Sequence, residues 1–292
     1  MKIFFFLLVW FSLFASECKN SVIDSVFYQP LVKDNGVLDL NKSIKKLSSL
    51  GVKQLVIQWS KHGSTDFTQQ KNFFRNVFQS AQKYKIKVIV GLYADDQYFQ
   101  KIDDNKVDLK YYLFELEKEN ISQAKRVWES VKEYDSFGGW YIYDEIDDKH
   151  FRSEEKQKIL KNYLQNMADD LDEISSKPLY ISGFYTMKMD PIDYAEMFSY
   201  ITQHRFIVMP QSGVGAKLLQ NFEAEIYLKE FLDHYKEKFI PIVEVFGGSF
   251  EDFLIQLKTI QNATKKQFVG AFSLRYILDK DFLHKYEEKF CK

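Results

Sequence analysis

The sequence predicts an α/β fold, a single (β/α)8 (TIM) barrel that follows an N-terminal signal peptide, and three observations predict it. Eight short β-branched or aromatic runs alternate with amphipathic stretches of helical period. No proline-rich or serine-rich linker divides the chain. The length of 292 residues suits a barrel, which typically takes roughly 250.

Strand runs fall at residues 25–30, 54–60, 87–94, 138–145, 179–186, 205–211, 239–246 and 268–274, each ending in a polar or glycine-containing junction. Helical stretches occupy 40–49, 68–84, 109–134, 154–175, 192–203, 223–238, 250–262 and 281–290, so a helix follows every strand. In the third helix Leu113, Leu116, Ala124, Val127 and Val131 form an apolar stripe interrupted only by Asn120. Eight such units in succession favour closure over an open sheet, whose strand order would reverse partway. No glycine-rich phosphate fingerprint follows the first strand, which weighs against dinucleotide binding.

A 46% hydrophobic and 17% aromatic composition supplies a sizeable core and argues against disorder. Forty basic and 41 acidic residues are interspersed, giving a formal charge of −1. That pattern leaves no footprint for nucleic acid or another polyanion.

Residues 1–17 read as a signal peptide: Lys2, an apolar run from Ile3 to Phe14, then the small residues Ala15 and Ser16. The run is shorter than the roughly 20 residues that span a bilayer. A mature chain of residues 18–292, secreted or periplasmic and without a transmembrane span, is expected. Cys18 raises a lipid anchor, against which the bulky Glu17 counts. A closed barrel makes its first strand and last helix neighbours, so a Cys18–Cys291 disulfide suits an oxidising compartment. Two unpaired cysteines at frayed ends are the plainer alternative.

Active sites of such barrels lie at the C-terminal ends of the strands, so strand-end polar residues are the candidates. The fourth strand reads Gly138-Gly-Trp-Tyr-Ile-Tyr-Asp-Glu145, and alternation puts Tyr141, Tyr143 and Glu145 on one face. The seventh carries Glu244 alone in an apolar run, costly for a charge unless it is paired or used. Glycoside hydrolysis with retention needs one carboxyl to protonate the leaving oxygen and another to attack the anomeric carbon, about 5–5.5 Å apart. Carboxylates on strands four and seven project from opposite sides into one mouth and suit that task.

Asp144-Glu145 with Glu244 resembles the "4/7" superfamily of retaining barrel glycosidases, although those enzymes usually carry Asn where this chain has Asp144. More narrowly, Phe27-Tyr-Gln-Pro30, Gln58-Trp59-Ser60, Gly139-Trp-Tyr-Ile-Tyr-Asp-Glu-Ile-Asp147 and Pro210-Gln-Ser-Gly-Val-Gly215 resemble the glycosyl-hydrolase-like domain of unknown function 4434. The resemblance covers most of the mature chain. It implies Glu145 as acid/base, Glu244 as nucleophile, a carbohydrate substrate and no cofactor or metal. Gln29, Trp59, Tyr93, Tyr143, Asp144, Tyr185, Gln211 and Arg275 are the candidate substrate contacts, aromatic faces for the rings and polar groups for hydroxyls.

Other readings stay open. Glu244 could pair with Arg275, and Glu145 could be one solvated acid among Asp144, Asp147 and Asp148. Those acids with His150 could hold a catalytic metal, although no paired-histidine spacing supports one. Trp59, Tyr93 and Tyr185 could be ordinary packing, and Ser60 and His62 loop residues. A catalytically silent barrel that binds glycan, within a surface or exopolysaccharide system, is the alternative from another class. A monomer is expected.

Overall fold

A computed structural model describes residues 18–34, 38–246 and 248–292. The expected signal peptide lies outside the described residues.

Eight parallel strands form the barrel: β1 (Ile23–Tyr28), β2 (Gln54–Ile57), β3 (Lys87–Gly91), β4 (Phe137–Asp147), β5 (Leu179–Phe184), β6 (Phe206–Pro210), β7 (Ile242–Glu244) and β8 (Val269–Phe272). They pair in chain order, and β8 pairs back onto β1. Between β6 and β7 the ladder thins to two parallel bridges, Val208–Phe239 and Gln211–Ile242. Pro241 explains why β7 is shorter than the predicted run: it has no N–H to give, so regular pairing starts only at Ile242.

The helices are α1 (Leu40–Ser49), α2 (Phe73–Tyr84), α3 (Leu109–Val131), α4 (Glu154–Ile174), α5 (Pro191–Thr202), α6 (Asn221–His234), α7 (Phe250–Thr264) and α8 (Lys280–Phe290). Their starts are set locally, because Asp39, Asp108, Ser153, Asp190, Ser249 and Asp279 each accept a first-turn N–H. The short helices Tyr98–Asp103 and Leu274–Ile277 were not evident from periodicity, since each spans less than two turns.

Alternation along the strands creates two cores. Phe27, Val56, Ile89, Tyr141, Tyr180, Met209 and Ile242, one from each of β1 to β7, fill the barrel with Phe272 of β8 beside them. The other face of each strand packs on the helices, as Val26, Trp140, Ile181 and Val243 do. Asn120, the break in the α3 stripe, is fully buried: its Nδ2 donates to Tyr163 Oη of α4 (3.1 Å) and its Oδ1 accepts from Tyr93 N (2.9 Å).

Cys18, just ahead of β1, is joined to Cys291 at the end of α8 by a disulfide. Among the described residues no helix is long and apolar enough to cross a membrane.

Candidate functional site

The site is organised by β4 and by the segment that follows β6. Between Ile142 and Ile146 the pairing of β4 with β5 slips: four steps along β4 match two along β5, from Ile181 to Gly183. Such a bulge re-aims side chains and marks strand ends next to functional sites. Asp144 and Glu145 sit inside it and face different environments.

Glu145 is half-buried, and Gln211 Nε2 donates to its Oε1 at 2.7 Å. Beneath it, the Tyr141 and Ser182 hydroxyls share a 2.6 Å hydrogen bond. Loss of water raises the Glu145 carboxyl to about 7; the hydrogen bond from Gln211 pulls it down and the Glu244 charge pushes it up. The two glutamates therefore lie within electrostatic reach of each other.

Glu244 ends β7 and is 1% exposed. Its Oε2 accepts from Ala216 N (3.2 Å) and Ser212 Oγ (3.4 Å), whereas its Oε1 is buried with no hydrogen-bond partner. Burial raises its pKa, and the Ala216 and Gly215 amides with the Ser212 hydroxyl oppose that rise. Gln256 of α7 clamps the strand from behind, donating to the Glu244 carbonyl (3.0 Å) and accepting its N–H (3.2 Å). Close approach requires Gly215, where a Cβ would stand 2.3 Å from the Glu244 carbonyl oxygen.

Other candidates divide by environment. Gln29, Tyr93, Tyr143 and Arg275 are half-buried at strand ends. Arg275 pairs with Asp34 and donates to the Gln29 carbonyl (2.8 Å), so the expected alternative pairing with Glu244 is replaced by an Asp34 partner from the loop after β1. Tyr93 packs under the Lys61 ammonium, 4.7 Å from its ring centre.

Three expected sugar contacts are instead enclosed. Trp59 is 5% exposed, donates Nε1 to the Pro30 carbonyl (3.1 Å) and packs against Tyr143 and His62. Tyr185, also 5% exposed, stacks on Tyr227 and bonds the Met189 carbonyl (2.5 Å). Asp144 is 1% exposed in the layer between barrel and helices, where Tyr163 Oη donates to its Oδ2 at 2.5 Å. Burial raises the Asp144 carboxyl to about 7, against the pull of that bond.

The acids after Glu145 diverge as well. Asp147 holds the Lys149 and His150 amides and the His150 ring, while Asp148 takes the Thr186, Lys188 and Met189 amides. Among the described residues no group of three or more His, Cys, Asp or Glu could hold a metal ion. Ser182, Ser212, Ala216 and Gln256 were missed in the sequence because none stands out by type. Ser212 and Ala216 are signalled only by following a strand end, and Gln256, inside α7, has no local signal at all.

Residues 23–278 match the family described as Domain of unknown function (DUF4434), and the chain belongs to that family. Uncharacterized protein YbcH of Escherichia coli (strain K12) is 30% identical over 232 residues, 78% of this chain and 77% of that protein. The crystal structure of a "putative alpha-L-fucosidase" from Bacteroides thetaiotaomicron VPI-5482 superposes with a TM-score of 0.72 at 17% identity, covering 100% of this chain and 98% of that one. A "putative deoxyribose-phosphate aldolase" from Toxoplasma gondii ME49 gives a TM-score of 0.52 at 12% identity, over 94% and 96% of the two chains. These likenesses carry the fold, a (β/α)8 barrel, and not the reaction.

Proposed function

We propose that the protein is a retaining glycoside hydrolase acting on an oligosaccharide or polysaccharide, with Glu145 as acid/base and Glu244 as nucleophile. The observation that supports it most is the placement of these two carboxyls at the ends of β4 and β7, linked through a single segment. Each is held by the one segment after β6, Glu145 by Gln211 and Glu244 by Ser212 and Ala216.

In the first step Glu145 gives its proton to the glycosidic oxygen as the bond from that oxygen to the anomeric carbon breaks. The Glu244 carboxylate attacks the carbon, forming a glycosyl ester. Esterification removes the Glu244 charge, which had added to the rise that burial gives the Glu145 pKa. Glu145 then becomes the base that takes a proton from water, and the hydroxide opens the ester. Gln29, Tyr93, Tyr143 and Arg275 are the sugar contacts in this reading, with Trp59 packed against Tyr143. The reaction takes place outside the cytoplasm, after removal of residues 1–17, where the Cys18–Cys291 disulfide is stable.

The test is the anomer first released from a cleaved glycan, followed by proton NMR. Retention of configuration is expected. Inversion would remove Glu244 as nucleophile, and glycan binding without cleavage would favour the silent binding barrel.

A further inference from the structure

A cavity of about 360 Å³ lies beside Glu244, between the segment after β6 and the start of α7. Its wall includes Glu244, Lys217, Asn221, Phe246, Asp252 and Ile255. That volume lies at the lower end of the roughly 300–1,000 Å³ of small-molecule sites, enough for a single small ring. Apolar and charged groups face each other across it. Phe246 and Ile255 are 37% and 47% exposed, unusual for side chains beside a buried carboxylate.

The charges in this wall are unequally matched. Asp252 Oδ2 is held by the Ser249 amide (2.8 Å) and hydroxyl (2.9 Å), and Glu244 Oε2 by Ala216 and Ser212. Lys217 takes part in no ion pair among the described residues. Its backbone is left-handed, φ 60°, a conformation that a non-glycine residue rarely adopts. The turn imposes it: the amides of Leu218 and Leu219 both bond the Gly213 carbonyl, at 2.8 and 3.1 Å. Asn221 begins α6, whose N-terminal end adds to the positive potential. Glu244 supplies an independent pointer to a ligand, because it lines this cavity and its Oε1 is buried without a hydrogen-bond partner, a costly state for a carboxylate oxygen.

We propose that this cavity is a carbohydrate subsite for a ring bearing a carboxylate, with Phe246 and Ile255 against the apolar face of the ring and Lys217 paired to its carboxylate. The link from this subsite to the substrate rests on the two-glutamate reading; occupancy of the cavity does not. Lys217 is the one basic side chain among the described residues of this wall, so it is the group that favours an acidic ring over a neutral one, against the opposing charges of Glu244 and Asp252.

The test is calorimetric titration of the purified protein at low ionic strength with glucuronate, glucose, galacturonate and galactose, beside Lys217→Gln and Phe246→Ala variants. At least one uronate should bind about five-fold more tightly than its hexose, the scale of one solvent-exposed charge-assisted contact. Lys217→Gln should abolish that preference and keep the hexose affinity, and Phe246→Ala should weaken both sugars. Melting temperatures of the variants establish that they fold. Equal binding of acid and hexose, a preference that survives Lys217→Gln, or no binding of any of the four overturns the proposal. The same titrations on Glu145→Gln separate the two claims. A uronate preference in a protein that cleaves nothing leaves the subsite standing and removes the hydrolase, and cleavage without the preference does the reverse.

Discussion

Gln211 donates to Glu145 Oε1 at 2.7 Å, and five residues further along the same segment Ala216 donates to Glu244 Oε2 at 3.2 Å. One short stretch after β6 therefore holds both carboxyls and opposes the rise in pKa that burial gives each. A change there affects the pair together, whereas a change elsewhere on the rim affects one contact.

Gln211→Leu removes a bond that stabilises the charged form of Glu145. Its carboxyl then stays protonated to higher pH, and the alkaline limb of the pH–rate profile should move up while the maximal rate falls. In the wild type that limb should begin near pH 7, where Glu145 loses the proton it must donate. The acid limb should reflect protonation of Glu244, whose own pKa is raised. Because the two interact, both limbs belong to the pair. An alkaline limb that stays put in Gln211→Leu would detach Gln211 from the acid.

Asp144→Asn should change the pH dependence of stability more than it changes the reaction. The folded carboxyl titrates at about 7 against an ordinary 3.8, so the folded protein keeps a proton that the unfolded chain releases between those values. The resulting stability is fully present below about pH 4 and is lost as pH rises through 7. Asn cannot ionise and still accepts from Tyr163. Thermal denaturation should show variant and wild type alike at pH 4 and the variant increasingly more stable toward pH 8. A constant gap across that range would mean that Asp144 is charged in the fold.

The disulfide bridges a sequence separation of 273 residues. Restricting so long a loop in the unfolded chain contributes about 5–6 kcal/mol in the chain-entropy account. Cys291→Ser, or reduction, should lower the melting temperature by several degrees with the fold retained. Two titratable thiols in the unreduced protein would contradict the bridge.

Gly215→Ala tests the segment itself. The added Cβ would meet the Glu244 carbonyl oxygen at 2.3 Å, so the loop must move and Ala216 must release Glu244. Activity should fall about 100-fold or more, on the scale of a 1 Å misplacement near the chemistry. An unaffected rate would show that the amide does not position the carboxylate.

The barrel was legible because eight βα units each state their period, and Glu244 because a lone charge in an apolar strand stands out. Strand ends were less legible: Pro241 trims β7, and the loop positions that hold Glu244 depend on contacts with α7 that no local pattern announces. The direction of Asp144 follows from the same alternation, which puts it with Trp140 and Ile142 on the helix-facing side, away from Tyr141 and Glu145; only its place next to Glu145 made it a candidate contact. Aromatic residues at strand ends were ambiguous by type, and only burial separates Trp59 and Tyr185 from Tyr93 and Tyr143.

The most direct test of the two-glutamate account is hydrolysis of a broad glycan panel by the purified protein beside Glu145→Gln and Glu244→Gln, each checked for folding by circular dichroism. The account predicts cleavage of at least one glycan by the wild type and a loss of about 1,000-fold or more in each variant. Cleavage that persists in both variants, or tight glycan binding with no cleavage by the wild type, would contradict it.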